Sequence, residues 1–368
     1  MADPSHLIRQ EIVSLTPYNA GLTIGEVRRL YDPPRIAKLG SNENPYGPSP
    51  AVAEALAATT GQLHLYPDPS GRDLAAAIAD RHGVDPAQVI LGNGSEDLIA
   101  VVCRTVLSPG DRMATLYPSF PLHEDYARLM GADVDRVTAR ADLSIDADGL
   151  LSAVRAAPKL VMFANPMNPV GSWLTGDQMR CVVETLPVET LLVVDEAYAE
   201  YAVGDGYVSV LDALKAADRS WLVLRTFSKA YGLAGLRIGY GIASSPALVA
   251  YLDRARTPFN TSALAQAAAR AALEDPGHMA TCISIVRSER ARVREFLASR
   301  GIMAAPSNAN FLFFDCGMES TVFATRLLER GVVVKPWKQD DYRSFVRVSI
   351  GLPSENEQFM AAIAETIA

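Results

Sequence analysis

Between residues 88 and 242 the chain repeats one pattern: a short unbroken run of Val, Leu, Ile and Ala, then a cluster of Gly, Asn, Pro or Ser, then apolar residues at helical spacing. Runs that do not alternate with polar residues predict strands buried on both faces. The pattern places such strands at 88–91, 112–116, 133–137, 159–164, 190–194, 221–224 and 237–242. Helical stretches separate most of them, so the expected fold class is α/β, with a mostly parallel seven-stranded sheet covered on both sides.

The flanks read differently. Residues 1–40 hold an amphipathic start (Leu7, Ile8, Ile12, Val13) and the turn Leu15-Thr-Pro-Tyr18, and are read as an arm. The segment 40–50 is too rich in Pro, Gly and Asn for the interior of a helix or strand. Helical spacing returns over 49–58, breaks at Tyr66-Pro-Asp-Pro-Ser-Gly71 and resumes to Gly83. Beyond residue 255 come long helices at 262–273, opening on a Ser cap, and 279–299. Strands at 310–314, 332–334 and 345–350 follow, interleaved with helices near 320–330 and 354–367. With 368 residues, more than one core usually serves, this predicts an arm (1–40), a large domain (41–255) and a smaller α+β domain (256–368).

Composition narrows the partners. A net charge of −8 and a pI near 5.3 argue against nucleic acid or an anionic membrane as the main ligand and favour small molecules. Cys103, Cys181, Cys282 and Cys316 are too dispersed for a zinc knuckle or a disulfide framework, and the five histidines form no His-x-x-x-His pair, so no metal is expected. The start lacks a basic region followed by an apolar core, and no apolar run could span a bilayer, which predicts a cytoplasmic protein.

Ligands of parallel sheets sit at the carboxyl ends of strands, and polar signals collect there on five of the expected strands. They are Gly92-Asn-Gly-Ser-Glu96, Tyr117-Pro-Ser-Phe120, Asn165-Pro-Met-Asn-Pro-Val-Gly171, Asp195-Glu-Ala-Tyr198 and Thr226-Phe-Ser-Lys229 with Arg237 beyond. The glycine loop suits a phosphate at a helix start, whereas a dinucleotide fingerprint would want glycine where Asp97 stands. Lys229 follows a buried strand among donors and a cation, a setting that lowers an amine's pKa and makes it nucleophilic. Asp195 and Tyr198 can face one ligand if a helical turn follows the strand.

An amine, a carboxylate, a phenol and a phosphate cradle are what pyridoxal phosphate requires, and the chain resembles the fold-type I pyridoxal-phosphate aminotransferases over nearly its whole length. Asn42-Glu-Asn-Pro-Tyr-Gly-Pro-Ser-Pro50, Leu65-Tyr-Pro-Asp-Pro69 and Arg347-Val-Ser-Ile-Gly351 look most like the histidinol-phosphate branch of that family. The resemblance implies an aspartate-aminotransferase-like fold and a ping-pong exchange of an amino group between glutamate or 2-oxoglutarate and histidinol phosphate or its ketone. Aromatic or other amino-acid transamination, and decarboxylation of a phosphorylated amino acid, are the alternatives.

It also implies roles. Lys229 carries the cofactor and moves protons, Asp195 pairs with the ring nitrogen, and Asn168 and Tyr198 bond its phenolic oxygen. The phosphate goes to Gly94, Ser95, Glu96, Thr226, Ser228 and Arg237. Phe120, chosen over Tyr117, stacks on the ring. Tyr66 is lent across a homodimer interface. Tyr18, Asn44, Lys335 and Arg347 meet the substrate. Where the family usually has Val-x-Val-Arg-Pro, this chain has Val332-Val-Val-Lys-Pro336, which keeps a charge and loses the planar fork of arginine.

Overall fold

The protein is described here by a computed structural model covering residues 4–19, 21–202, 204 and 206–367. Its central sheet has seven strands: β1 (Val89–Gly92), β2 (Arg112–Tyr117), β3 (Asp133–Thr138), β4 (Leu160–Ala164), β5 (Leu191–Asp195), β6 (Trp221–Thr226) and β7 (Gly239–Ala243). The order across the sheet is β1-β7-β6-β5-β4-β2-β3. Strand β7 runs antiparallel to both β1 and β6, and every other pairing is parallel.

The lack of alternation in the sequence has a simple cause. Leu160, Met162, Leu191, Val193, Leu222 and Leu224 pack to one side with Ile99 and Val102 of helix Ser95–Val106. Val161, Phe163, Leu192, Val194 and Val223 pack to the other side in a second cluster. Both faces are dry, so successive residues are all apolar.

The last strand was expected from residue 237 and begins at Gly239. Arg237 is left-handed (φ 54°) and closes a short 3₁₀ turn, Ala234–Leu236, ahead of the strand.

The later part holds a three-stranded antiparallel sheet of β8 (Phe311–Asp315), β9 (Lys335–Pro336) and β10 (Phe345–Ser349), ordered β9-β10-β8. The single strand expected at 332–334 is divided. Val332–Val333 pairs in parallel with Ala37–Lys38, and the chain then turns so that Lys335 pairs with Arg347. Helix Ala263–Leu273 carries the expected Ser cap, Ser262 Oγ accepting the N–H of Ala265 at 3.1 Å, and helix Pro276–Ser299 starts three residues earlier than expected, on Asp275, whose Oδ1 accepts the N–H of His278 at 3.2 Å.

Near the amino end, the apolar residues read as an amphipathic start fall on a 3₁₀ turn, Pro4–Leu7, on the link after it (Ile8) and on a short helix, Gln10–Val13, and Leu7, Ile8, Ile12 and Val13 are all exposed. A helix not foreseen, Ile24–Tyr31, starts on a capping box in which Thr23 and Glu26 exchange hydrogen bonds. Among the described residues no helix is long and apolar enough to cross a membrane.

Candidate active site

A cleft of about 390 Å³ opens at the carboxyl ends of β4, β5 and β6, where the chain between Gly40 and Glu43 and the residues Lys335 and Arg347 come down upon the sheet. One wall is the glycine loop. Gly94, at φ 83°, caps helix Ser95–Val106 without a side-chain bond, so the first backbone N–H groups of the helix are free to bind an anion.

Space there is minimal. A Cβ on Gly94 would meet Arg237 Nη2 at 2.6 Å, and one on Gly239 would lie 2.5 Å from the Ser95 nitrogen. The facing strand must be bare for the loop to sit against it. Thr226 Oγ1 donates to Ser228 Oγ at 3.0 Å, and Arg237 Nη1 donates to Ala234 O at 3.1 Å, so two hydroxyls and a guanidinium complete a cationic cradle around the helix start.

Lys229 lies on the loop after β6 and donates to Ser41 O at 3.1 Å. Burial, with the Arg347 and Arg237 charges adding to it, brings its pKa down to about 7. Asp195, at the end of β5, is buried; its Oδ1 accepts the Ala197 N–H at 3.1 Å, and its Oδ2 lies 3.4 Å from His123 Nε2.

Tyr198 is buried beside Asp195, and desolvation pushes its phenol up to about 12. Asn168 Nδ2 reaches its hydroxyl at 3.4 Å, and Asn42 Nδ2 does so at 2.9 Å. Arg347 is 7% exposed, donates to Asn168 Oδ1 at 2.7 Å and Gly40 O at 2.9 Å, and its Nε finds no acceptor among the described residues. Burial lowers its pKa.

At the mouth, Lys335 reaches Asn19 O and lies 5.6 Å from the Tyr18 ring, which meets Phe120 edge to face at 6.4 Å. Burial and the Arg347 charge bring Lys335 down to about 8. Of the two candidate aromatics, Phe120 faces the cleft, while Tyr117 is buried with its hydroxyl on Asp340 O at 2.7 Å.

Two expected residues are not in this cleft. Asn44 turns the other way, donating to Ala230 O at 3.0 Å and accepting from Tyr46 N at 3.0 Å, so it braces the loop behind Lys229 and does not face the cleft; Asn42, in the left-handed conformation, occupies the position expected of it. Tyr66 is 82% exposed and stacks on Phe259 at 4.6 Å, outside its own chain's cleft.

Two residues at the site were given no role from the sequence. His123 is one helical turn beyond Phe120 at the start of helix Pro121–Leu129, a spacing that puts both on one face, and this could have drawn it in. Asn42 could have been noticed only as a residue tolerant of positive φ.

The chain matches the family model for class I and II aminotransferases over residues 34–363. It is 56% identical to histidinol-phosphate aminotransferase 1 of Mesorhizobium japonicum over 367 residues, covering 100% of both chains. It is 57% identical to histidinol-phosphate aminotransferase 3 of Rhizobium meliloti over 365 residues, 99% of each.

The crystal structure of histidinol-phosphate aminotransferase from Sinorhizobium meliloti in complex with pyridoxal-5'-phosphate superposes with a TM-score of 0.89 at 32% identity, covering 98% of this chain and 97% of that one. Aspartate aminotransferase of Thermus thermophilus with maleate shares the fold, with a TM-score of 0.82 at 21% identity and 98% and 99% coverage. A lysine of lowered pKa, a buried carboxylate and an uncapped helix start beside Arg237 at the strand ends agree with that likeness, and the chain belongs to the class I and II aminotransferases.

Proposed function

We propose that this protein transfers an amino group between glutamate or 2-oxoglutarate and histidinol phosphate or its ketone. One observation carries the reading: a single cleft brings the Lys229 amine, the Asp195 carboxylate and a helix start backed by Arg237 within reach of one small cofactor.

Pyridoxal phosphate supplies an aldehyde with which amines condense and a ring that accepts the electron pair from the substrate α-carbon. The donor set fits it. The free N–H groups after Gly94, with Ser228, Thr226 and Arg237, would hold the phosphate. Asp195 would pair with the ring nitrogen and keep it protonated, Tyr198 with Asn168 would donate to the ring oxygen, and Phe120 would pack against the ring.

Lys229 would hold the cofactor through its aldehyde carbon and would move the proton at the substrate α-carbon. A pKa of about 7 leaves a large neutral fraction of this amine near neutrality, as a base requires.

Arg347 takes the carboxylate of the amino-acid partner, and Lys335 with Tyr18 takes the phosphate at the mouth. Tyr66, exposed and aromatic, is lent to the cleft of a second subunit in a homodimer. Four free cysteines accord with a cytoplasmic protein.

The test is donor preference. Histidinol phosphate should turn over with a lower KM than histidinol, phenylalanine or tyrosine. Lys335→Ala should raise its KM by roughly tenfold or more, the loss of one charge-assisted bond of about 1.5–3 kcal/mol, while scarcely touching phenylalanine. An unphosphorylated donor that is preferred, and indifferent to Lys335→Ala, would promote the aromatic reading.

A further inference from the structure

Tyr198 lies at the end of a hydrogen-bond network in which the direction of each donation can be worked out. Arg347 can only donate, and its Nη1 contacts Asn168 Oδ1 at 2.7 Å, so the Asn168 amide nitrogen is turned toward Tyr198, whose oxygen it meets at 3.4 Å. The Asn42 backbone N–H can only donate as well, and it goes to Ser349 Oγ at 2.7 Å. That hydroxyl, with a single hydrogen of its own, donates it to Asn42 Oδ1 at 2.9 Å, and the Asn42 amide nitrogen donates to Tyr198 Oη, also at 2.9 Å.

Two N–H donors thus fill the two lone pairs of the phenol. Its single hydrogen has only the cleft to point into. The left-handed turn at Asn42 (φ 55°) makes this arrangement, and Asn310 Nδ2 locks it by donating to Asn42 O at 3.1 Å.

We infer that Asn42, set by Ser349, is a positioning residue that makes Tyr198 a hydrogen donor, and never an acceptor, toward an anionic oxygen of the ligand in the cleft. The inference rests on the pyridoxal-phosphate reading above, where that oxygen is the phenolic one of the ring. A donated hydrogen stabilises the oxygen's negative charge, and the charge is most exposed when the nitrogen joining Lys229 to the cofactor is unprotonated. Asn42 therefore holds down the pKa of that nitrogen, which is followed by the colour change of the holoenzyme with pH.

Other charged groups face this region, namely Arg347 and Asp195 near Tyr198, and Glu43 and Arg237 near Lys229. A neutral substitution leaves all of them in place.

Asn42→Gly keeps the left-handed turn and removes the donor. Titration of its holoenzyme should show the linkage pKa raised by at least about half a unit, and the same change made in a Tyr198→Phe background should move it by less than about 0.2, since coupling vanishes when the second partner is gone.

Ser349→Ala, neutral as well, removes the hydroxyl that turns the Asn42 amide and repeats the cycle should the glycine variant fold poorly; it should raise the pKa in the same sense. No shift in either background, or an equal shift in both, overturns the inference. Wild-type protein that takes up no cofactor overturns the parent reading, and this one with it.

Discussion

The amine of Lys229 should reveal itself in the stability of the cofactor-free protein. Its pKa falls from 10.5 to about 7 because burial takes water from the ammonium and, to a lesser degree, because Arg347 and Arg237 lie nearby. At about 1.4 kcal/mol per unit this corresponds to about 5 kcal/mol. Lys229 is partly open to the cleft, so water there relieves some of it and about 2–5 kcal/mol is the expected range.

The sign follows from proton counting. Between the two pKa values the unfolded chain holds a proton on this residue that the folded chain does not, so folding stability rises as pH climbs from about 7 to 10.5; below about 7 both hold it and the full penalty stands.

Lys229→Met replaces the amine by an apolar chain of similar length. In urea melts of cofactor-free protein at pH 6 it should be the more stable by that amount, and by pH 9 the gap should have narrowed markedly. Subtracting the two proteins cancels groups that titrate independently, Lys335 among them. A difference that stays flat from pH 6 to pH 9, or a methionine variant less stable than wild type at pH 6, would refute the placement of a strained amine at this point.

Other outcomes are equally open to measurement. Asp195→Asn should lower kcat by several orders of magnitude with the fold intact; an activity within about tenfold of wild type, about 1.4 kcal/mol of barrier, would mean another group protonates the ring nitrogen. Gly239→Ala forces a methyl to within 2.5 Å of the Ser95 nitrogen, and should weaken pyridoxal phosphate binding at least about tenfold while costing about 1–3 kcal/mol in thermal stability; unchanged affinity in a fluorescence titration contradicts the tight cradle. Mixing Tyr66→Phe with Lys229→Ala subunits should regenerate some sites with both native residues, and no recovered activity after confirmed subunit exchange would deny the loan of Tyr66 across an interface.

What could be read from the sequence was whatever depends on neighbours along the chain. Dry strands such as Leu191–Asp195 declare themselves by unbroken apolar runs, and the residues ending them lie at the cleft because strand ends do. Orientation was hidden. Nothing local distinguishes β7, antiparallel, from its parallel neighbours, since burial on both faces gives the same composition either way.

Asn44 and Asn42 differ only in which way a loop of the same composition turns, and that is decided by Ser349 and Asn310, some 270 to 310 residues away. The exposed apolar residues at the amino end looked like a helix because periodicity records which residues avoid water and not what covers them. His123 was passed over because its significance lies in Asp195, on a different strand.

The reversed strand has a further consequence. Lys229 and Arg237 lie on a single loop whose two ends are pinned together where Thr226 faces Gly239, and the loop is braced within by bonds from Phe227 to Ile238 and from Leu233 to Phe227. That loop fixes where both side chains leave the backbone, while Ser41 O holds the amine and Gly94 and Glu96 border the guanidinium. On the proposed function the loop would act as a gauge of length: a ligand whose aldehyde and anionic group are spaced to match would engage both ends at once, whereas one lacking the anion or carrying it on a longer tether would satisfy only one end.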